Sequence, residues 1–289
     1  MGKNIIPHSR PTLGEEEIEA VSTVVRSRHI AQGEKVKEFE EELARFIGVK
    51  GAVATSSGTA ALHLGMVTMG LGEGDEVILP SFVCTAPLNA VYQVGAAPAL
   101  CDIELESFNI SLEGIDDARS DKTKAVIVPH MFGSPADLER IEATGIPVIE
   151  DCAQSIGAMY GEKRVGSIGR FSIMSFYANK MMACGEGGAI LSDDERLLKA
   201  ARDRRDYDEK EDYRLRYNYK MTDMQAAMGV VQLKKLPGMI ERRKEIAANY
   251  DDALRDSGLI LPQGEFDHIY YRYAIRTEGD VQQIISSRK

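Results

Sequence analysis

The stretch from Ser175 to Gly188 reads S-F-Y-A-N-K-M-M-A-C-G-E-G-G and contains one lysine, Lys180. Two methionines, an alanine and a cysteine follow the lysine directly, and such neighbours would take its amine out of water. Burial disfavours the charged form of a lysine and leaves the amine nucleophilic towards a carbonyl carbon. The pattern therefore predicts a Schiff-base lysine. The alternative is an ordinary solvated lysine, because most lysines are exposed.

Upstream of this stretch, short apolar runs alternate with helical segments. The apolar runs, several of them β-branched, predict strands at 52–54, 77–79, 97–100, 125–128 and 148–150. The segments between them predict helices at 60–69, 86–94 and 137–143. This alternation is typical of an α/β fold, with a mainly parallel sheet between two layers of helices.

The two ends of the chain have a different pattern. Before the first strand, Thr12–Glu15 resembles a capping box, and a second helix is predicted from Lys35 with Gly48 as its stop. Downstream of Met221 the pattern is helical again, and 269–275 (I-Y-Y-R-Y-A-I) predicts a strand. We therefore expect a large domain at 1–239, with an N-terminal helical segment, and the start of a smaller α+β domain at 240–289.

The composition excludes several classes of protein. The 289 residues carry 45 acidic and 35 basic side chains and a net charge of −10, so no bulk field attracts nucleic acid or an anionic membrane. The chain has no apolar leader and no run of eighteen apolar residues. Its four cysteines form no C-x-x-C pair and are predicted to be reduced thiols, so we expect a cytoplasmic protein.

Asp151 is the first candidate partner of a reactive lysine. It ends the run I-P-V-I-E-D, just past an apolar strand, where parallel α/β sheets hold their ligands. If the lysine binds pyridoxal phosphate (PLP), a buried carboxylate is needed beside the ring nitrogen, because the protonated ring is the better electron sink. A helix-capping aspartate is an equally good interpretation of the local sequence.

A phosphate site is predicted at A-T-S-S-G-T-A-A-L-H-L, residues 54–64. Ser57, Gly58 and Thr59 open a helix there, and the free N–H groups and dipole of a helix N-terminus attract anions. Ser and Thr are also ordinary helix caps, and this alternative stays open. Ser175 could add a hydroxyl. No Walker A run, dinucleotide fingerprint or H-E-x-x-H zinc motif is present.

These motifs together resemble the DegT/DnrJ/StrS family of sugar aminotransferases, PLP enzymes of fold type I. The resemblance is nearly end to end and also covers G-D-E-V-I-L-P-S-F, I-E-D-C-A-Q-S-I-G-A and Y-N-Y-K-M-T-D-M-Q-A-A. It implies a seven-stranded, mainly parallel sheet and a truncated C-terminal domain. It also implies Lys180 as the Schiff-base lysine and Asp151 as the partner of the pyridinium nitrogen.

The resemblance assigns further cofactor contacts residue by residue. Gln154 would lie near the ring oxygen, and Gly58, Thr59 and Ser175 would hold the phosphate. Asn218 would reach the site of the neighbouring subunit, which implies a homodimer. Where many members have an aromatic ring that stacks on the cofactor, this chain has Cys84, with Phe82 two residues earlier. The stacking contact is thus left open between these two residues.

The resemblance implies an aminotransferase that moves nitrogen from an amino acid, with glutamate expected, to a keto group of a nucleotide-linked sugar. Such a reaction belongs to amino-deoxysugar or surface polysaccharide biosynthesis. One alternative is a PLP-dependent sugar dehydratase, although that branch of the family replaces the lysine by histidine. A second alternative is a PLP-binding regulatory protein without catalysis.

Overall fold

The computed structural model describes residues 7, 9–264, 266–279 and 281. Its helices are α1 (Glu15–Ser27), α2 (Glu34–Ile47), α3 (Gly58–Met69), α4 (Thr85–Gln93), α5 (Leu112–Ala118), α6 (Leu138–Glu142), α7 (Glu195–Arg205) and α8 (Asp223–Leu254). Its strands are β1 (Gly51–Thr55), β2 (Glu76–Pro80), β3 (Ala97–Cys101), β4 (Thr123–Pro129), β5 (Val148–Asp151), β6 (Met159–Tyr160), β7 (Lys163–Arg164), β8 (Phe171–Ser175) and β9 (Gly188–Ser192).

Seven of these strands form one sheet in the order β1-β9-β8-β5-β4-β2-β3. All neighbours run parallel except β9, which is antiparallel to both β1 and β8. The carboxyl ends of the six parallel strands therefore lie at one edge of the sheet, and β9 begins at that same edge. The predicted α/β fold with a mainly parallel seven-stranded sheet is confirmed.

Helices cover both faces of the sheet, because its strands are apolar on both sides. One core lies between the sheet and α2 and α8 and includes Phe39, Phe176 and Leu236. The other lies between the sheet and α3, α4 and α7 and includes Leu64 and Phe171. All five predicted strands are present, with bounds that agree within two residues, because a strand buried on both faces leaves a continuous apolar run.

The predicted cap of α1 is wrong in detail. The helix begins after Gly14, whose N–H donates to Oε2 of Glu17 at 2.7 Å, so Thr12 is not the cap. The predicted end of α2 is confirmed, because Gly48 closes that helix in the left-handed conformation at φ 92°.

The predicted strand at 269–275 is also wrong. In the described part of this region the pairing is a single antiparallel bridge between Ile260 and Arg276. Tyr270 has φ 52°, which breaks an extended backbone, and the segment instead bonds to the 3₁₀ turn Met131–Gly133. An apolar run needs a partner strand, and none of the described residues supplies one along its length.

Helix α8 runs unbroken through position 239/240, where the sequence suggested a domain boundary. The boundary stays a prediction, and the two parts share this helix. Among the described residues, no helix has both the length and the apolar character needed to cross a membrane.

Candidate active site

Lys180 lies in the loop that connects β8 to β9. Backbone bonds close the loop, from Ala178 N–H to Gly185 O at 3.1 Å and from Cys184 N–H to Phe176 O at 2.8 Å. The four residues after Lys180 are buried, as their apolar character predicted, with exposed fractions of 5% or less. Lys180 itself is half-buried and lines a cleft of about 1220 Å³. The buried residues after Lys180 thus anchor the loop, and the Lys180 amine faces the cleft.

Asp151 ends β5 at the same edge of the sheet and is 8% exposed. Its Oδ1 accepts the N–H of Ala153 at 3.0 Å in a turn, and no helix begins there, so the capping alternative does not hold. No donor of the described residues bonds to Oδ2. Burial raises the pKa of the Asp151 carboxyl, while the Ala153 N–H and the charge of Lys180 act in the opposite direction. Within the described part of the chain, this carboxylate has no cationic hydrogen-bond partner.

Glu150, the residue before Asp151, was not predicted to matter. It is fully buried, and it accepts the N–H groups of Gly166, Ile168 and Gly169 at 2.6–2.8 Å. His130 Nε2 adds a bond at 3.2 Å, while its Nδ1 accepts the N–H of Ala136. Burial alone would raise the pKa of Glu150, but the bonds from His130, Gly169 and Gly166 outweigh it and lower the pKa.

Glu150 is therefore a structural anchor for the 166–169 loop. Its partners are 16 to 20 residues away in the sequence, so no local motif could have identified it.

His130, Glu150 and Cys152 also bring three possible metal-ligand atoms together. The His130 ring has no lone pair left for a metal ion, since one nitrogen donates and the other accepts.

The predicted phosphate site lies where β1 turns into α3. Ser57 caps this helix, as the alternative held, because its Oγ accepts the N–H of Ala60 at 3.1 Å. The N–H groups of Gly58 and Thr59 have no partner among the described residues. A Cβ on Gly58 would lie 2.9 Å from Cβ of Ser175, so the Ser175 hydroxyl sits against the helix start. Two free N–H groups and nearby hydroxyls form an anion cradle.

Gly188 holds the other side of this cradle. A Cβ at Gly188 would overlap the backbone of Ser57 and Gly58, so β9 can approach the start of α3 only with glycine there. This close approach explains why the run G-E-G-G after Lys180 ends in glycine at position 188.

Asn218 lies on an extended segment beside the cradle. Tyr217 and Tyr219 stack on each other at 4.9 Å, and both pack against the ring of His63 on α3. Side chains of an extended segment alternate, so Asn218 points the other way and is exposed. Ser56 N–H donates to the Tyr219 carbonyl at 2.8 Å, which ties this segment to the cradle.

Salt bridges fix the loop before Asn218. Arg216 pairs with Asp203 at 3.0 Å and with Asp212 at 2.5 Å, and its side chain is only 5% exposed. Lys220 pairs with Asp206 at 2.9 Å.

Gln154, Phe82 and Cys84 occupy the rest of the same edge. Gln154 is half-buried, and its Oε1 accepts the N–H of Phe132 at 3.1 Å. The ring of Phe82 packs against those of Phe108 and Phe132 at 5.7 and 6.3 Å. Cys84 is exposed at the start of α4. Neither residue is thereby identified as a stacking partner of a cofactor.

The residues present fit PLP in their chemistry. A half-buried amine, a buried carboxylate with an unused oxygen and an anion cradle all lie at one edge of the sheet. These groups match the aldehyde, the ring nitrogen and the phosphate of that cofactor, in that order. The fold and the site together define a PLP-dependent transferase of fold type I.

Comparisons with known proteins agree with this class. Residues 11–288 match the model of the DegT/DnrJ/EryC1/StrS aminotransferase family. The aminotransferase TlmJ from Streptoalloteichus hindustanus is 32% identical, with a TM-score of 0.93 over 98% of this chain and 82% of that one. A putative sugar aminotransferase from Streptococcus pneumoniae, in its PLP-form, is 29% identical, with a TM-score of 0.90 over the same shares of the two chains.

The chain belongs to the DegT/DnrJ/EryC1/StrS aminotransferase family, and it is a PLP-dependent aminotransferase. The family resemblance drawn from its sequence motifs is confirmed. Its neighbours also include a dehydratase, the GDP-4-keto-6-deoxymannose-3-dehydratase ColD with bound GDP-perosamine. That protein is 26% identical, with a TM-score of 0.89 over 98% of this chain and 83% of that one.

Proposed function

We propose that this enzyme moves the amino group of an amino acid, glutamate in the first place, to a keto group of a nucleotide-linked sugar. The amino sugar formed would enter amino-deoxysugar or surface polysaccharide biosynthesis. The observation that carries the proposal is the convergence of Lys180, Asp151 and the anion cradle at one edge of the sheet. A cytoplasmic place of action stays a prediction.

PLP, when bound, supplies an electron sink for the carbanion that forms at the donor's α-carbon. Lys180 would hold the aldehyde group of the cofactor through Nζ. The same amine, when free, would take a proton from the α-carbon of the donor and return one, as a general base and acid in turn. Asp151 would keep the ring nitrogen protonated, and Ser57, Gly58, Thr59 and Ser175 would bind the phosphate.

The test of Lys180 combines a chemical and a kinetic measurement. Borohydride reduction of the PLP-loaded protein, followed by mass spectrometry of its peptides, should locate the cofactor on Lys180. Lys180→Ala should lose this label and nitrogen transfer from glutamate, whereas the control Lys199→Ala on the exposed face of α7 should keep both. Undiminished transfer by Lys180→Ala would rule out the assignment.

Lys180 also separates the proposal from a dehydratase. A lysine amine suits nitrogen transfer, so glutamate should convert the cofactor to its amine form. Loss of water from the sugar without any use of glutamate would favour the dehydratase instead. A cofactor spectrum that responds to no amino donor would favour a regulatory protein.

We further propose a homodimer in which Asn218 completes the phosphate site of the neighbouring subunit. Its exposure beside the cradle supports this, because an outward polar side chain there is free to contact a second chain. Asn218→Asp should be inactive, since it sets a negative charge against the phosphate.

Mixing subunits tests the shared site. Lys180→Ala and Asn218→Asp proteins are each expected to be inactive, but half of the randomly mixed dimers have one intact site. Mixing after mild denaturation should therefore restore about a quarter of the wild-type rate. No recovery, with dimers shown by light scattering, would mean that each subunit uses its own Asn218.

A further inference from the structure

The cleft that Lys180 lines has an unusual charge. Six cationic side chains line it, and no aspartate or glutamate does so among the described residues. The chain as a whole has a net charge of −10. A concave site with one sign of charge focuses its field and concentrates ions of the opposite sign. This cleft is therefore suited to an anion.

Two of these cations are already neutralised by neighbours outside the cleft lining. Lys235 pairs with Glu17 at 2.8 Å and also with Glu16. Arg242 pairs with Glu245 at 2.8 Å, and its side chain is 67% exposed. Both cations therefore have carboxylate partners already, and neither charge needs a further partner in the cleft.

Arg243 differs from Arg242, although the two are adjacent on α8. It is half-buried, and no carboxylate of the described residues lies within 4 Å of its guanidinium. Its Nη1 donates to the carbonyl oxygens of Tyr270 and Tyr271 at 3.2 and 3.1 Å, so its other N–H groups remain for the cleft. A half-buried guanidinium without a counter-charge is costly, and an incoming anion would relieve that cost.

A second guanidinium, that of Arg272, lies near Arg243. Arg272 lies near enough for its charge to act on Arg243: burial lowers the pKa of Arg243, and the charge of Arg272 lowers it further. Arg272 also lies 5.3 Å from the centre of the Tyr271 ring. Lys180 Nζ lies 5.4 Å from the centre of the same ring. The Tyr271 ring is thus near two cations, Arg272 and Lys180, while the Tyr271 carbonyl accepts a bond from a third, Arg243.

We propose that Arg243, with Arg272 beside it, is a binding subsite for an oxyanion group of a substrate in the cleft that holds Lys180. The inference rests on the proposed function, which has two substrates with such groups. One source is the diphosphate of the nucleotide sugar, and the other is a carboxylate of the amino donor. A guanidinium can bind two oxygens of a planar carboxylate or of a tetrahedral phosphate through paired N–H groups.

The test uses PLP-saturated protein, so that the cradle at α3 is already filled. Binding of pyrophosphate and of glutarate, which has no amine to transfer, is measured by calorimetry at low and at physiological ionic strength. Wild type should bind at least one of them, more weakly at the higher salt. Pyrophosphate binding assigns the diphosphate as the source, and glutarate binding assigns the donor carboxylate.

Two adjacent substitutions make the comparison specific. Arg243→Gln should weaken binding at least about tenfold, because a charge-assisted bond is lost, and Arg243→Lys should recover part of it. Arg242→Gln, one residue away, should change affinity by less than about twofold. Thermal unfolding of each variant without anion reports any separate effect of losing the bonds to Tyr270 and Tyr271.

Two results would overturn the subsite. The first is that neither probe binds the wild-type protein, and the second is that Arg243→Gln binds as tightly as wild type. Neither result depends on turnover, so it is distinct from failure of the Lys180 assignment, which the borohydride label and nitrogen transfer decide.

Discussion

Replacement of Asp151 by asparagine should separate the function of the site from the stability of the fold. The amide keeps the size of the carboxylate, and its oxygen still accepts the N–H of Ala153. Because burial raises the pKa of Asp151, the folded state binds its proton more tightly than the unfolded chain does. The ionised Asp151 therefore lowers the free energy of unfolding as the pH rises from its unfolded-state pKa through its higher folded-state pKa.

The free energy of unfolding of the PLP-free Asp151→Asn protein at pH 7 should thus be unchanged or higher by about 1 kcal/mol. Catalysis should respond in the opposite way. Loss of a buried partner to a cation costs about 3–5 kcal/mol, which is a decrease of roughly 10²- to 10⁴-fold in the rate of nitrogen transfer. Asparagine carries no charge to pair with the protonated ring nitrogen of PLP, so binding of the cofactor should weaken as well.

Two assays decide this prediction. Urea unfolding of the PLP-free variant gives the stability, and the absorbance change of the loaded variant after addition of glutamate gives the rate. The reasoning is refuted by a variant that is destabilised by several kcal/mol while the remaining folded protein transfers nitrogen normally. That result would make Asp151 a structural turn residue and leave the ring nitrogen without its proposed partner.

Three further substitutions test other parts of the site. Glu150→Gln should lower the free energy of unfolding by about 3–5 kcal/mol in urea, because buried N–H groups lose their acceptor. The pKa of Glu150 is lower in the folded state than in the unfolded chain, so the stability that Glu150 provides should be fully present above the unfolded-state pKa. This stability should be lost as the pH falls through the folded-state pKa, and the Glu150→Gln protein should not show that loss. Gly188→Ala should displace the start of α3 and weaken PLP binding at least about tenfold in a spectroscopic titration, whereas Gly238→Ala, which has open space around it, should not. Tyr271→Leu should slow nitrogen transfer, because the ring of Tyr271 lies 5.4 Å from the Lys180 amine and helps to position it; an unchanged rate would exclude this role.

The sequence predicted the sheet better than it predicted its surroundings. Strands buried on both faces leave apolar runs, so β1 to β5 could be located, and Asp151 could be found because it follows one of them. The roles of Glu150 and Arg216 depend on partners that only the fold brings near, so their local sequences resemble those of ordinary charged residues. The segment 269–275 has the composition of a strand, but its contacts are with a turn more than a hundred residues earlier.

Burial alone does not separate the charges proposed to bind a ligand from the structural charges of this protein, but the bonding and charge partners of each side chain do. Glu150 and Asp151 are adjacent and buried, yet Glu150 accepts four bonds and Asp151 accepts one through its side chain. Arg205 and Arg243 differ in their charge partners, because Arg205 is paired with the carboxylate of Glu40 at 2.6 Å and Arg243 has no carboxylate partner among the described residues. A fully bonded buried charge has no capacity left for a ligand, since any new contact must break an existing bond. Asp151 and Arg243 keep that capacity, and both lie where a substrate or cofactor group of opposite charge would complete them.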